Sequence, residues 1–131
     1  MKEIPDRSVD AIICDLPYGV LNKGNDDAKW DAVISFGPLW EQYLRVSKKN
    51  AAIVLFCQGI FTARLMMSRA DIWRYNLVWK KGERTTGFLN SAKMPLRNHE
   101  DIAVFYRTQP TYHPQMEQGF PSHRRGHGGG K

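Results

Sequence analysis

The strongest constraint on this chain is a pair of uninterrupted apolar runs, Ala11 to Cys14 and Ala51 to Cys57, separated by a segment with helical periodicity. Both runs are short and apolar, the first carrying Ile12 and Ile13 and the second Ile53, Val54 and Leu55, so each reads as a strand. A strand that is apolar at consecutive positions requires cover on both faces, as in a sheet flanked by helices. Between the runs, Ser35-Phe36-Gly37-Pro38 places a proline near a first helical turn, and Leu39, Trp40, Tyr43, Leu44 and Val46 recur at spacings of three and four. This predicts a helix from about Pro38 to Ser47, closed by Lys48-Lys49-Asn50, where positive charge suits the helix dipole. Strand, helix and strand in this order imply a parallel pair joined by a right-handed crossover.

The first run ends abruptly, in Ala11-Ile12-Ile13-Cys14-Asp15-Leu16-Pro17-Tyr18-Gly19. Asp15 falls at the carboxyl end of the strand, where open α/β sheets hold their ligands. Pro17 cannot donate to a ladder and so ends the strand, while Gly19 permits a sharp exit. Tyr18 is thereby held on a rigid loop beside Asp15. Met1 to Asp10 form a polar lead-in. From Val20 to Val33, the residues Asn22, Lys23, Gly24, Asn25, Asp26, Asp27 and Lys29 surround a lone Trp30. They read as a long loop, a feature that in compact domains tends to be functional.

After the second strand, Gln58 to Ala70 fits a helix with Ile60, Phe61, Leu65 and Met66 on its buried face, Met66 and Met67 being core filler. Tyr75 to Lys80 and Asp101 to Tyr106 read as a third and a fourth strand. The connection between them, Lys81 to Glu100, has no helical period and predicts a long hairpin loop joining antiparallel strands. Lys80, Lys81, Arg84, Lys93 and Arg97 cluster there around Phe88 and Leu89, either as a solvated face or as phosphate contacts. Thr108 to Lys131, with Pro110, Pro114 and Pro121, reads as extended or disordered.

At 131 residues and 42% hydrophobic content, the chain has the material for a single domain. Its formal charge of +6 favours an anionic partner such as nucleic acid. The longest apolar stretch is too short to cross a bilayer and the first residues lack a signal peptide's apolar segment, so no membrane association and a cytoplasmic location are expected. Cys14 and Cys57 sit at strand ends as small hydrophobes, which does not suggest a disulfide framework. No CxxC pair exists, and the spaced pair His123 and His127 lies among Arg and Gly, so no metal site is expected.

A carboxylate beside a backbone carbonyl on a stiff turn offers two acceptors for the two hydrogens of one amino group. An exocyclic amine on a nucleobase is a poor nucleophile because its lone pair is delocalised into the ring. Acceptors on its hydrogens stabilise the positive charge that develops as it attacks an electrophile. A neighbouring tyrosine adds a face on which a base swung out of its duplex can stack.

On these residues the chain resembles the DNA amino-methyltransferases, which transfer a methyl group from S-adenosylmethionine to adenine-N6 or cytosine-N4. Asp15-Leu16-Pro17-Tyr18 matches three of the four positions of their catalytic motif [DNS]-P-P-[YFW], with Leu16 in place of the first proline. Ser8-Val9-Asp10 ahead of the strand, Lys29-Trp30-Asp31, Trp79 with Lys81, and Asn98-His99-Glu100-Asp101-Ile102-Ala103-Val104-Phe105 extend the resemblance over about Asp6 to Tyr106. It implies a partial Rossmann-like methyltransferase sheet of class α/β, with two parallel strands, an antiparallel pair and helices on the faces. Asp15, Leu16 (through its carbonyl), Pro17 and Tyr18 would be catalytic. Tyr18, Trp30, Lys80, Lys81, Arg84, Lys93 and Arg97 would bind the substrate, which is double-stranded DNA. The initial aspartate points to adenine. His99 and Glu100 read as structural hydrogen-bonding residues.

The cofactor implied is S-adenosylmethionine, yet the family's acidic-Pro-Phe-x-Gly-x-Gly signature is absent, and Gly128-Gly129-Gly130 does not replace it. Apart from Asp15, the cofactor-binding residues stay open. In the permuted arrangement the catalytic half comes first, so residues 1–107 would be that half. Residues 108–131 would begin the target-recognition region or form a basic tail. Such a half is expected to self-associate or to pair with a complementary cofactor-binding half. The rival reading is a non-catalytic, truncated DNA-binding remnant. A methyltransferase for RNA or for a protein side-chain amide is a third, disfavoured because relatives that methylate glutamine carry asparagine where this chain has Asp15.

Overall fold

A computed structural model of the chain describes residues 1–21, 26–83, 85–116 and 118–119. The expectations placed on Asn22 to Asn25, on Arg84, and on the end of the tail with His123, His127 and Gly128 to Gly130 concern residues outside that set. The elements are β1 (Val9–Asp15), α1 (Phe36–Val46), β2 (Ser47–Cys57), α2 (Ile60–Ser68), β3 (Trp73–Lys80) and β4 (His99–Phe105), with 3-10 turns at Asp26–Ala28 and Phe88–Asn90. They build one four-stranded sheet of order β1-β2-β4-β3. β1 runs parallel to β2, and β4 lies antiparallel to both β2 and β3. This is the expected α/β arrangement, and no helix among the described residues is long and apolar enough to cross a membrane.

The α1–β2 junction departs from the sequence reading. Lys48, Lys49 and Asn50 do not close the helix; they belong to β2, which starts directly at Ser47. Two tertiary contacts favour the extended form. The Arg107 guanidinium donates to the Ser47 carbonyl at 2.8 Å and to the Lys48 carbonyl at 2.9 Å. The Lys48 ammonium meets Asp10 on neighbouring β1 at 2.6 Å. Neither partner is close in sequence, so local periodicity could not register them.

Along β2, Ala51, Ile53, Leu55 and Cys57 are buried in alternation. Ile53, Leu55 and Cys57 join Leu39, Trp40 and Tyr43 of α1 and Phe61 and Leu65 of α2 in a single core that also takes Ala103 and Phe105 from β4. The Trp40 indole donates to Ser68 Oγ at 2.8 Å, tying one helix to the other. Both helices therefore lie on the same face of the sheet. On the opposite face Ile13 is 71% exposed, and Leu77 and Trp79 are also open, with the Trp79 ring edge-on to Phe56. Among the described residues, the cover expected on both faces of β1 is thus present on one. Ile60 and Met67 are likewise exposed, against expectation, because the buried stripe of α2 is Phe61, Thr62 and Leu65 and those two residues fall outside it.

Candidate active site

Beyond the carboxyl ends of β1 and β2 the chain forms a cleft of about 520 Å³, within the size range of small-molecule sites. The turn Asp15-Leu16-Pro17-Tyr18 and Trp30 line it together, so five of the residues singled out from the sequence converge. Asp15 is exposed at the strand's end, in register with Phe56 of β2. Leu16 inserts its side chain into the core, at 5% exposure. Where a proline would stiffen the turn covalently, leucine anchors it by burial.

Tyr18 is more constrained than its sequence position suggested. Its ring packs on Phe61, centroids 5.2 Å apart, and its hydroxyl donates to Asp15 Oδ1 at 2.6 Å. Burial raises its pKa far above the ordinary tyrosine range, and the hydrogen bond and negative charge of Asp15 raise it further. The phenol therefore remains a hydrogen-bond donor throughout the physiological range. A carboxylate offers about four lone-pair sites, so this bond leaves Asp15 with acceptor capacity for a substrate amine.

The loop after the motif is held by Asp31, a residue the sequence reading noted only as the partner of Trp30. Asp31 is buried, and its carboxylate accepts from the backbone N–H of Gly19 at 3.1 Å, Val20 at 2.7 Å and Leu21 at 2.6 Å. Burial alone would raise its pKa; the N–H donors of Leu21, Gly19 and Val20 outweigh that and hold it below the usual carboxylate range. Three consecutive N–H groups can converge on one acid because Gly19 adopts φ +70°, a left-handed conformation. A Cβ at Gly19 would also lie 2.7 Å from Val33 Cγ2. The Trp30-Asp31 pair belongs to the family resemblance, but no local pattern shows the anchoring role of Asp31, since its partners lie ten to twelve residues earlier.

The basic residues separate into two groups. The Lys81 ammonium pairs with Glu100 and sits over the Trp79 ring at 5.1 Å. Glu100 lines the cleft, as do Gln58 and Thr86, none of which was expected as a site residue. Lys80 and Lys93 are exposed and Arg97 is half-buried; they flank the β3–β4 connection and do not line the cleft. For a methyl donor bearing a sulfonium cation, the Asp15 carboxylate on the wall suits the reactive end. The glycine-rich signature that would cradle the remainder is absent from the sequence.

No protein-family model and no curated protein matches the sequence. Solved structures match the fold. The chain aligns with the M1.HpyAVI–SAM complex at TM-score 0.57 and 16% identity, covering 86% of this chain and 52% of that one. With M1.HpyAVI in a second crystal structure the TM-score is 0.55 at 16% identity, covering 86% and 53%. With PvuII DNA methyltransferase, cytosine-N4-specific, it is 0.51 at 12% identity, covering 83% and 46%. The chain thus spans about half the length of these matched chains. At such identities the likeness establishes the fold, and it is the methyltransferase fold that the motif resemblance implied.

Proposed function

We propose that this chain is the catalytic half of an S-adenosylmethionine-dependent DNA methyltransferase acting on the exocyclic amine of an adenine swung out of its duplex. The observation that carries this reading is the placement of Asp15. Its carboxylate stands at the carboxyl end of a parallel strand, oriented by Tyr18, on the wall of a cleft large enough for a base. The match to the M1.HpyAVI–SAM complex and to PvuII DNA methyltransferase supports both the cofactor and the substrate class.

In this reading the Asp15 carboxylate and the Leu16 carbonyl accept the two hydrogens of the amine and stabilise the positive charge that grows on nitrogen. Pro17 shapes the turn, and Tyr18 and Trp30 offer ring faces to the base. S-adenosylmethionine, when bound, supplies an electrophilic methyl group. Lys80, Lys81, Arg84, Lys93 and Arg97 contact phosphates. Residues 1–107 carry the catalytic half and residues 108–131 begin the recognition region. The helix-free sheet face around Ile13, Leu77 and Trp79 takes a complementary cofactor-binding half. Cytosine-N4 is the second reading, favoured by the PvuII match.

The test is transfer of labelled methyl from S-adenosylmethionine to duplex DNA, by the chain alone and with a separately expressed cofactor-binding half, followed by identification of the methylated base. N6-methyladenine is expected, N4-methylcytosine would favour the second reading, and Asp15→Ala should reduce transfer by about 100-fold or more. Unchanged transfer by Asp15→Ala would refute the mechanism.

A further inference from the structure

The connection between β3 and β4 carries an aromatic residue that the cleft does not use. Phe88 is 76% exposed at the start of the 3-10 turn Phe88–Asn90, and Met94 and Leu96 are exposed further along the same connection. Its position is held by a sequence of backbone bonds. Gly87 turns the chain at φ +87°, the Asn90 N–H donates to the Gly87 carbonyl at 2.8 Å, and the Lys93 N–H donates to the Asn90 carbonyl at 2.9 Å. The base of the loop is fastened by Thr86 and Arg97, which exchange backbone bonds at 2.6 and 3.2 Å. A hydrogen-bonded tip that presents a phenyl ring to solvent has an apolar surface without an apolar partner.

Two observations indicate what that partner is. Between Glu83 and Glu100 the sequence has no acidic residue but has Arg84, Lys93 and Arg97, so the apolar tip is flanked by positive charge alone, as a polyanion requires. The tip also adjoins the cleft. Thr86 lines the cleft and Phe88 follows it by two residues, which places the two Cα atoms within about 7 Å of each other. That is about two base-pair steps of 3.4 Å. A base swung out of a duplex leaves a gap in the stack, and apolar side chains are the groups that proteins insert between base steps.

We propose that Phe88 is a wedge that enters the base stack of duplex DNA beside the vacated position, while Lys93 and Arg97 hold the adjoining phosphates. This rests on the reading of the cleft as a pocket for a flipped base. It assigns to Phe88 a role in opening the duplex that is separate from the chemistry at Asp15.

The experiment compares binding of the full chain to two labelled duplexes, one fully paired and one with an abasic site opposite a central adenine, by fluorescence anisotropy over a range of salt. The parent chain is expected to bind the abasic duplex at least about 10-fold more tightly, because unstacking is partly done. Phe88→Ala should weaken binding to the paired duplex more than to the abasic one, widening that preference while keeping the salt slope, and Phe88→Trp should leave the preference as in the parent. Lys93→Ala and Arg97→Ala should weaken binding to both duplexes alike, each lowering the salt slope by about one. An unchanged far-ultraviolet circular dichroism spectrum is expected for Phe88→Ala. If Phe88→Ala kept the parent's preference, the wedge would be wrong while DNA binding stood. If the parent showed no salt-sensitive binding to either duplex, both the wedge and the DNA reading would fail. If sedimentation showed that Phe88→Ala turns a dimer into a monomer, the ring would be a contact between copies and the wedge would be overturned.

Discussion

At the residue scale, the decisive group is one that does no chemistry. Asp31 fixes the exit of the Asp15-Leu16-Pro17-Tyr18 turn by accepting three backbone N–H bonds in a buried position. Asp31→Asn keeps one acceptor oxygen but directs an amide donor at N–H groups, so a loss of about 3 kcal/mol is expected in urea denaturation. Because the folded carboxyl titrates below its unfolded value near 3.9, its contribution is complete at neutral pH and disappears as the pH falls below about 4. The parent should therefore lose stability more steeply than Asp31→Asn as the pH falls below about 4. Gly19→Ala should cost about 1–2 kcal/mol for its left-handed backbone, plus the displacement of Val33. Adding Val33→Ala should recover only the second part. Recovery of the whole loss would mean that φ at this position is not a constraint.

At the scale of elements, the two faces of the sheet differ in what they bury. Leu55, fully buried on the helix face of β2, should lose about 2–5 kcal/mol on Leu55→Ala. Ile13 on the opposite face of β1, though equally apolar, should lose less than about 0.5 kcal/mol on Ile13→Ala in the isolated chain. Comparing the two variants by urea denaturation tests which face holds the core. If a complementary half docks on the open face, Ile13→Ala should become costly in the complex. The same logic applies to the start of β2, where Arg107 bonds to Ser47 and Lys48 set an extended conformation that helical periodicity alone would have continued into the helix.

At the scale of the whole molecule, the excess of Lys and Arg over Asp and Glu, 19 against 13, is spread unevenly. Lys93 and Arg97 lie in residues 84–99, a stretch free of acids, while Lys81 is engaged by Glu100 at the cleft wall. If the chain binds DNA as proposed, its affinity should fall with rising salt, and Lys81→Ala should change the salt slope less than Lys93→Ala or Arg97→Ala. Equal slopes for all three variants would mean that the pairing with Glu100 does not weaken the hold of Lys81 on phosphates.

The sequence by itself determined the elements whose signals are local: four apolar strands, two helices, and a turn that places an acid, a proline and an aromatic at a strand's end. Order and spacing then implied the parallel pair and the antiparallel hairpin, since short and long connections have few ways to close. Tertiary structure decided what depends on distant partners. The start of β2 follows Arg107, the uncovered face of β1 follows the placement of both helices on one side, and the hold of Asp31 on the loop after Tyr18 crosses ten to twelve residues. Burial and hydrogen-bond satisfaction are properties of the assembled chain, so an acid that lines a cleft and an acid that anchors one look alike until the chain folds.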